Sequence, residues 1–364
     1  MSAYPRIVIH LDHIARNARE ILELCLGRGI AVTAITKGLC GDLRIAATLC
    51  ESGVDALGDS RLENLKKYHI LPCENWLIHI PVLSERREVV QYADVYLIIE
   101  ALTLQYQDLE AQRQGRKHGI LLMVEMGDRR EGCLGAGELE ALFDQMDRSS
   151  GLYLKGIGAN LGCYGFVRTT QQKMDELSHL VEKVTPGRRL LVSAGNSSAL
   201  GWLNETGATG KINHLQLGES IQFGRERRDF TQLPGTVEDA FELQAEIVEL
   251  KEKSSLPDGE IGRDSFGNSP RFEDVGEYWR AICAVGKQNI EPDVLCPVDG
   301  RVSILGPVSI TCSCRFQRMP TGWEMRYPAV VRAMTSEYIL KEYRGSDYGS
   351  EIFPSRIHQT LCEQ

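Results

Sequence analysis

The chain has 364 residues, 43% hydrophobic and 25% charged, the composition of an ordinary folded protein long enough for one large domain and a smaller one. Its formal net charge of -9 and the lack of clustered lysine and arginine exclude a groove that tracks nucleic acid, and no apolar run reaches the length of a membrane span. The opening Met-Ser-Ala-Tyr-Pro5 lacks the apolar core of a signal peptide, so the expected location is the cytoplasm.

Ile7-Val-Ile-His10 reads as a short strand, and the next sixteen residues, Leu11–Leu26, carry apolar residues at helical spacing with Asp12 placed to cap them. A regular alternation follows. Strand-like runs occupy 32–36, 54–58, 76–80, 94–99, 120–125, 154–159, 189–194 and 212–217, joined by stretches of helical composition. Roughly eight β/α units in about 200 residues predict a closed (β/α)8 TIM-type barrel, because doubly wound sheets rarely sustain the alternation so long. Past Phe230 the alternation stops, and runs at 241–250, 279–285 and 302–309 with Gly, Pro and Asp turns between them read as antiparallel β structure. The expected layout is a barrel over 1–230, a mainly antiparallel β domain over 231–345 and an irregular tail over 346–364, with the strand at Ile7 open to either domain. Eleven cysteines are scattered singly. The close pair, Cys312 and Cys314, has neither zinc-type spacing nor partner histidines, so most are expected to be reduced and buried, and no metal site is expected.

In such barrels chemistry gathers where strands end. The run 32–36, apolar on both faces, delivers Lys37 to its C-terminal end. An ammonium there is costly to bury unless it is paired, neutralised or used covalently; a plain surface lysine is the alternative. Other strand ends are Glu125-Met-Gly-Asp-Arg-Arg-Glu-Gly132, Gly158-Ala-Asn-Leu-Gly-Cys-Tyr-Gly165, Ser193-Ala-Gly-Asn-Ser-Ser198 and Gln216-Leu-Gly-Glu-Ser220. Asn196-Ser-Ser198 opens a predicted helix, and Gly218 permits close backbone approach. Barrels bind phosphate with these last two loops, although Asn and Ser also serve as plain N-caps. A strand-end lysine, a phosphate cup and a barrel together point to pyridoxal 5'-phosphate held on the lysine as a Schiff base.

With those residues in hand, the chain resembles the fold-type III pyridoxal phosphate enzymes, the alanine racemase family, and within it the alanine/ornithine racemase-like branch. The resemblance rests on Ile35-Thr-Lys-Gly-Leu-Cys-Gly-Asp42, Gly58-Asp-Ser-Arg-Leu-Glu-Asn64, Ser193-Ala-Gly-Asn-Ser-Ser198, Leu217-Gly-Glu-Ser220, Asp264-Ser-Phe-Gly267 and Met334-Thr-Ser-Glu-Tyr338. It implies a head-to-tail homodimer in which the β domain of one subunit completes the site on its partner's barrel. It also implies that Lys37 forms the Schiff base and is the base on one substrate face. Asn160 would lie against the pyridine ring and Arg130 would orient the phenolate. Ser197 and the backbone at Gly218 and Glu219 would hold the phosphate, with Tyr343 bonding it, and Asn196 and Gln216 would be further cofactor-binding residues.

Three departures from the family pattern stand out. Gln216 replaces the arginine that alanine racemases set against the pyridine nitrogen, and a neutral amide relaxes that cation's bias against protonation. Phe266 aligns with the opposite-face tyrosine and cannot carry a proton. Val308-Ser-Ile-Thr311 stands where the ornithine-like branch tends to show an Asp-His pair. Racemisation needs a second proton carrier facing Lys37, and the β domain offers Asp264, Ser265, Cys312 and Cys314, with Asp264 ranked first. The leading expectation is therefore an amino-acid racemase or epimerase, tried first on basic substrates such as ornithine or lysine. A decarboxylase or aldolase of the same fold is the alternative, needing one proton donor fewer. A non-catalytic pyridoxal phosphate carrier is a further alternative, disfavoured because carriers are single barrels and this chain has a second domain.

Overall fold

A computed structural model describes residues 4–263, 267, 269, 271–287, 289–290, 295–307, 311–316, 330–335 and 351–353. The chain divides into two compact units, Asp12–Glu238 on the one hand and Met1–Leu11 with Asp239–Gln364 on the other. It opens with β1 (Arg6–His10), followed directly by α1 (Leu11–Leu26). Because the helix begins at Leu11, Asp12 lies inside its first turn rather than ahead of it, where its charge complements the helix dipole instead of capping.

The larger unit is the expected barrel. Parallel strands β2 (Ala31–Ile35), β3 (Ala56–Asp59), β4 (Glu74–Leu77), β5 (Val95–Ile98), β6 (His118–Val124), β7 (Leu152–Ala159), β8 (Leu191–Ser193) and β9 (His214–Leu217) close on themselves. The last pairs with the first, from Ala31 opposite His214 to Ala34 opposite Leu217. Burial on both faces explains the near-continuous apolar runs; all seven residues of β6 are buried. Between the strands run α2 (Leu43–Glu51), α3 (Leu62–Tyr68), α4 (Arg86–Tyr92), α5 (Ala101–Gln114), α6 (Ala136–Met146), α7 (Gln171–Val184), α8 (Ala199–Glu205) and, after β9, α9 (Glu219–Phe223). Helix α2 starts where Asp42 accepts from the backbone N–H of Arg44 at 2.9 Å and of Ile45 at 3.4 Å. Residues 231–238 stay with the barrel because the fully buried Asn17 of α1 brackets Val237, accepting from its N–H and donating to its carbonyl, both at 2.8 Å. Cys50 and Cys73 are disulfide-bonded, and the other eight cysteines among the described residues are free.

The smaller unit is a mainly antiparallel sheet, with β12 (Leu295–Pro297), β15 (Val330–Thr335), β10 (Phe241–Ser254), β11 (Glu277–Cys283), β14 (Cys312–Phe316) and β13 (Val302–Pro307) in that spatial order. The strand at Ile7 belongs to it: β1 runs antiparallel to β10 and parallel to β16 (Glu351–Phe353). Its core gathers Leu243, Ile247, Ala281, Cys283, Cys314 and Phe316, and Cys312 is one of its members. Along β14 burial alternates, so both Cys312 and Cys314 point into that core. Contact with Cys314 and burial push the Cys312 thiol far up from its ordinary pKa. Burial in this core and the upward shift both disfavour the thiolate that a base would need.

Inside the barrel His214 is wholly enclosed. Its ring stacks on Trp76, centroids 5.1 Å apart, and its two nitrogens meet Thr33 Oγ1 at 2.9 Å and Ser193 Oγ at 3.1 Å. Desolvation, helped by the charge of Lys155, pulls its pKa down to about 3. The unfolded chain binds a proton at this side chain below about pH 6.5, whereas the folded one does not until about 3, so stability contributed here is complete above the higher value and falls as pH drops toward the lower. The slope approaches about 1.4 kcal/mol per pH unit. Urea midpoints measured between pH 7 and 4 should fall more steeply for the parent than for His214→Gln; parallel curves would refute the assignment.

Candidate active site

Lys37 stands one residue past the buried Thr36 at the end of β2, in a tight turn where Leu39 N–H donates to Thr36 O at 2.8 Å and Asp42 N–H to Leu39 O at 3.0 Å. Its side chain reaches solvent, yet protein crowds it on enough sides that desolvation lowers its pKa. The charges of Arg130 and Arg227 push the same way, while Cys163 and Asp59 oppose them. An accessible amine with a depressed pKa is what imine chemistry requires. These couplings place the ends of β2, β3, β6 and β7 and the segment after α9 around one amine.

The loop after β7 is shaped by a carboxylate from another strand end. Asp128, 1% exposed, accepts from the backbone N–H groups of Gly162 and Cys163 at 3.1 Å, Val167 at 3.0 Å and Tyr164 at 2.8 Å. Burial raises the cost of its charge, but the four donors outweigh it and hold its pKa below the ordinary value. Glu125 similarly accepts from Gly127 and Arg129 N–H, at 2.6 and 2.8 Å, shaping the loop that carries Arg130. Arg130 pairs with Glu131 at 2.6 Å. Asn196 Nδ2 donates to Asn160 Oδ1 and to Leu161 O, both at 2.8 Å, and approaches Cys163 Sγ at 3.2 Å, so the loops after β7 and β8 form one surface.

The proposed phosphate cup is a pair of hydroxyls. Ser197 Oγ lies 3.1 Å from Ser220 Oγ and accepts from Ser220 N–H at 3.2 Å. Neither Ser197 nor Ser198 caps α8 through its side chain; Asn196 Oδ1 instead accepts from Ser198 N–H at 2.9 Å. Plain capping therefore does not account for Ser197. A Cβ added at Gly218 would lie 3.1 Å from Ile35 O, a tight contact, so glycine eases the close approach of the start of α9 to the end of β2. Glu219 pairs with Arg225 and Arg227, each at 3.3 Å. Gln216 is half-buried on β9, opposite Thr33, its backbone N–H donating to Gly195 O at 2.7 Å.

Lys37, Arg130, Asn160, Asn196, Ser197, Gln216, Gly218 and Glu219 thus all fall at ends of barrel strands or in the loops just beyond them. Asp264 and Tyr343, the other expected site residues, lie outside the described residues, as do Phe266 and 308–310; Cys312 belongs to the other unit's core. Sequence reasoning missed Ser220, Cys163 and Arg227. The first two lay inside stretches already singled out, where their small polar side chains were the available signal. Arg227 had none, since it follows the barrel in a run of mixed charges.

The model of the alanine racemase N-terminal domain matches residues 9–225. An ornithine racemase of Acetoanaerobium sticklandii is 36% identical over 350 residues, covering 93% of this chain and 99% of that one. The chain belongs to the alanine racemase family. A lysine racemase of Thermotoga maritima is 33% identical, covering 94% of this family member and 99% of its own length. Among solved structures, D-threonine aldolase from Filomicrobium marinum has a TM-score of 0.70 at 13% identity, covering 93% of this chain and 88% of that one. At that identity the likeness speaks for the fold alone, and the fold is that of the fold-type III pyridoxal phosphate enzymes.

Asp128→Asn puts an amide donor against backbone donors. Denaturant unfolding should show a loss of about 1.5–3 kcal/mol, the usual worth of hydrogen bonds to a charged group, with faster hydrogen exchange confined to Gly162–Val167 N–H groups. Unchanged exchange in that loop would contradict the role assigned to the carboxylate.

Proposed function

We propose that the protein is a pyridoxal 5'-phosphate-dependent racemase that interconverts the L and D forms of a basic amino acid, ornithine or lysine. The observation that carries this reading is identity of 36% and 33%, over nearly full length, to relatives named ornithine racemase and lysine racemase. The residues present fit the cofactor. Lys37 is an accessible amine of lowered pKa at a strand end, and the Ser197 and Ser220 hydroxyls meet just after Gly218, at the start of α9. Ser197, Ser220 and the backbone at Gly218 and Glu219 would hold the phosphate, with Tyr343 added to it. Arg130, Asn160, Asn196 and Gln216 would border the ring.

When bound, the cofactor accepts the electrons released as the α-hydrogen leaves. Lys37, with its ammonium form disfavoured, takes or returns that proton on one face. Asp264 remains the proposed carrier on the other face, contributed by the β domain of a partner subunit in a head-to-tail homodimer, since Phe266 carries no proton and the Cys312 thiol is locked in a core. A cytoplasmic location is part of the proposal. Among the described residues no helix is long and apolar enough to cross a membrane.

Protein incubated with pyridoxal phosphate and reduced with borohydride should carry the label on Lys37, and Lys37→Ala should abolish it; label on another lysine would overturn the site. Ser197→Ala should weaken cofactor affinity about 10–100-fold, the loss expected for one hydrogen bond to a charged group. L-ornithine and L-lysine in deuterated water, followed by chiral chromatography, should show α-hydrogen exchange with inversion. Asp264→Asn should slow this by about 10²–10⁴-fold. Exchange with retained configuration, or release of carbon dioxide or an aldehyde, would replace the racemase reading with the decarboxylase or aldolase one. Sedimentation should show a dimer, with an obligate interface on the order of 2,000 Å²; a fully active monomer would exclude shared sites.

A further inference from the structure

Asp59 ends β3, has no exposed surface, and bears on the chemistry above only through its charge on Lys37, with no binding or proton-carrying role. Its carboxylate is nevertheless the hub of a dense set of bonds beside Lys37. Thr36 Oγ1, on the residue immediately before the lysine, donates to Asp59 Oδ2 at 2.8 Å, and the threonine is itself wholly buried. Asn64 Nδ2, in the first turn of α3, donates to Asp59 Oδ1 at 3.1 Å, and Arg61 N–H donates to the same oxygen at 2.9 Å. The carboxylate accepts in each of these bonds, which favour its anion, while burial works against them and leaves its pKa above the ordinary carboxylate value. A buried anion is costly unless it is paired or fully hydrogen-bonded, which makes these donors necessary rather than incidental.

The same hub reaches the far side of the lysine. Gly41, four residues after Lys37, has φ +67°, and a Cβ there would lie 2.4 Å from Asn64 Oδ1. Cys40 also has positive φ, and Lys67 of α3 donates to its carbonyl at 3.2 Å. Asn64 thus presents one end of its amide to Asp59 and the other to the glycine that closes the Lys37 turn. The turn is bonded to this carboxylate in front through Thr36, while behind it Gly41 packs closely against the Asn64 amide that the same carboxylate accepts from.

We propose that Asp59 is the positioning residue for Lys37: its buried carboxylate gathers Thr36 and Asn64 and so fixes the turn that aims the amine into the site. Gly58-Asp-Ser-Arg-Leu-Glu-Asn64 contributed to the family resemblance without any assigned role, and this gives it one. Charge and geometry act separately here. Asp59→Asn keeps the shape but removes the anion and sets a donor against a donor, Thr36→Val deletes one bond while keeping the anion, and Thr36→Ser keeps the hydroxyl.

The proposal rests on Lys37 being the reactive amine, and two measurements keep the two ideas apart. In the cofactor-free full-length protein, the labelling rate of Lys37 by an amine reagent across pH is read by peptide mass spectrometry against the exposed Lys183 of α7 in the same sample. In a parallel series, capture of pyridoxal phosphate by Lys37 is trapped with borohydride. Thr36→Val and Asp59→Asn should each slow capture about 10–100-fold, the range expected when a reacting group is displaced by about an ångström. Thr36→Ser should stay within about twofold of the parent, and Asp59→Asn alone should also move the Lys37 labelling profile to lower pH, because it removes a nearby negative charge. Capture within about twofold of the parent for Thr36→Val, or equal losses for Thr36→Ser and Thr36→Val, would overturn the positioning role while leaving the function intact. If the parent captures no cofactor, the functional reading fails, and the positioning claim is decided by labelling alone: an altered Lys37-to-Lys183 ratio in Thr36→Val restored by Thr36→Ser sustains it, and an unaltered ratio ends it. Should Asp59→Asn fail to fold, the two threonine variants decide the positioning role by themselves.

Discussion

Closure of the barrel is the constraint on which the site depends. Pairing β9 back onto β2 brings the residue after Leu217 against the end of a strand nearly two hundred positions earlier in the chain. Gln222 Nε2 donates to Ile35 O at 3.1 Å, across a sequence separation of 187. That contact and the close approach of Gly218 to Ile35 join the start of α9 to the end of β2, and the Ser197 and Ser220 hydroxyls meet just beyond the ends of β8 and β9. Parallel strands all present their C-terminal ends to one side, so closure converts scattered strand-end residues into neighbours without requiring any of them to be close in sequence.

The loops on that rim are irregular, and irregular backbone needs partners for its N–H groups. This barrel supplies them with buried carboxylates. Asp128 serves the loop after β7, Asp59 the turn after β3, and Glu226, 3% exposed, accepts from the N–H groups of Arg228, Asp229 and Thr231 beyond α9. A carboxylate offers several acceptor sites at one point, so one side chain can satisfy a whole turn. Each anion is stabilised by the donors it organises, and the loop shape and the charge depend on each other. Such a loop has little freedom to rearrange, which suits a site that must hold a proton carrier to within a fraction of an ångström.

Legibility in the sequence followed the range of the forces involved. Eight strands showed because burial on both faces produces long apolar runs, and Lys37 showed because a cation at the end of such a run is chemically out of place. The β14 cysteines were ambiguous in the sequence: thiols at 312 and 314 read equally as proton carriers or as core, and it takes the alternation of burial along the strand to turn both inward. Asp128 was invisible as an organiser because its partners are backbone N–H groups, which carry no residue identity, and Asp59 because its partner Thr36 comes from the end of a different strand. His214 was equally silent. Its neighbours Trp76, Thr33 and Ser193 come from three other strands, and no local pattern marks a histidine that the barrel will enclose.

The charge state of Lys37 is a matter of enclosure more than of ion pairing. Arg130 and Arg227 both disfavour its protonation, but each is already tied to a carboxylate, Arg130 to Glu131 and Arg227 to Glu219. An arginine with its own counter-ion presents a weakened field to a third group. Cys163 and Asp59 press in the opposite direction, so the charges around the amine partly cancel. Desolvation, the first cause of its lowered pKa, has no such counterweight. Salt screens charges that meet water but does not resupply the water that surrounding protein excludes. The lowered pKa of Lys37 therefore follows the shape of the rim more than the charges around it, and that shape depends on the carboxylates that hold the rim's loops in place.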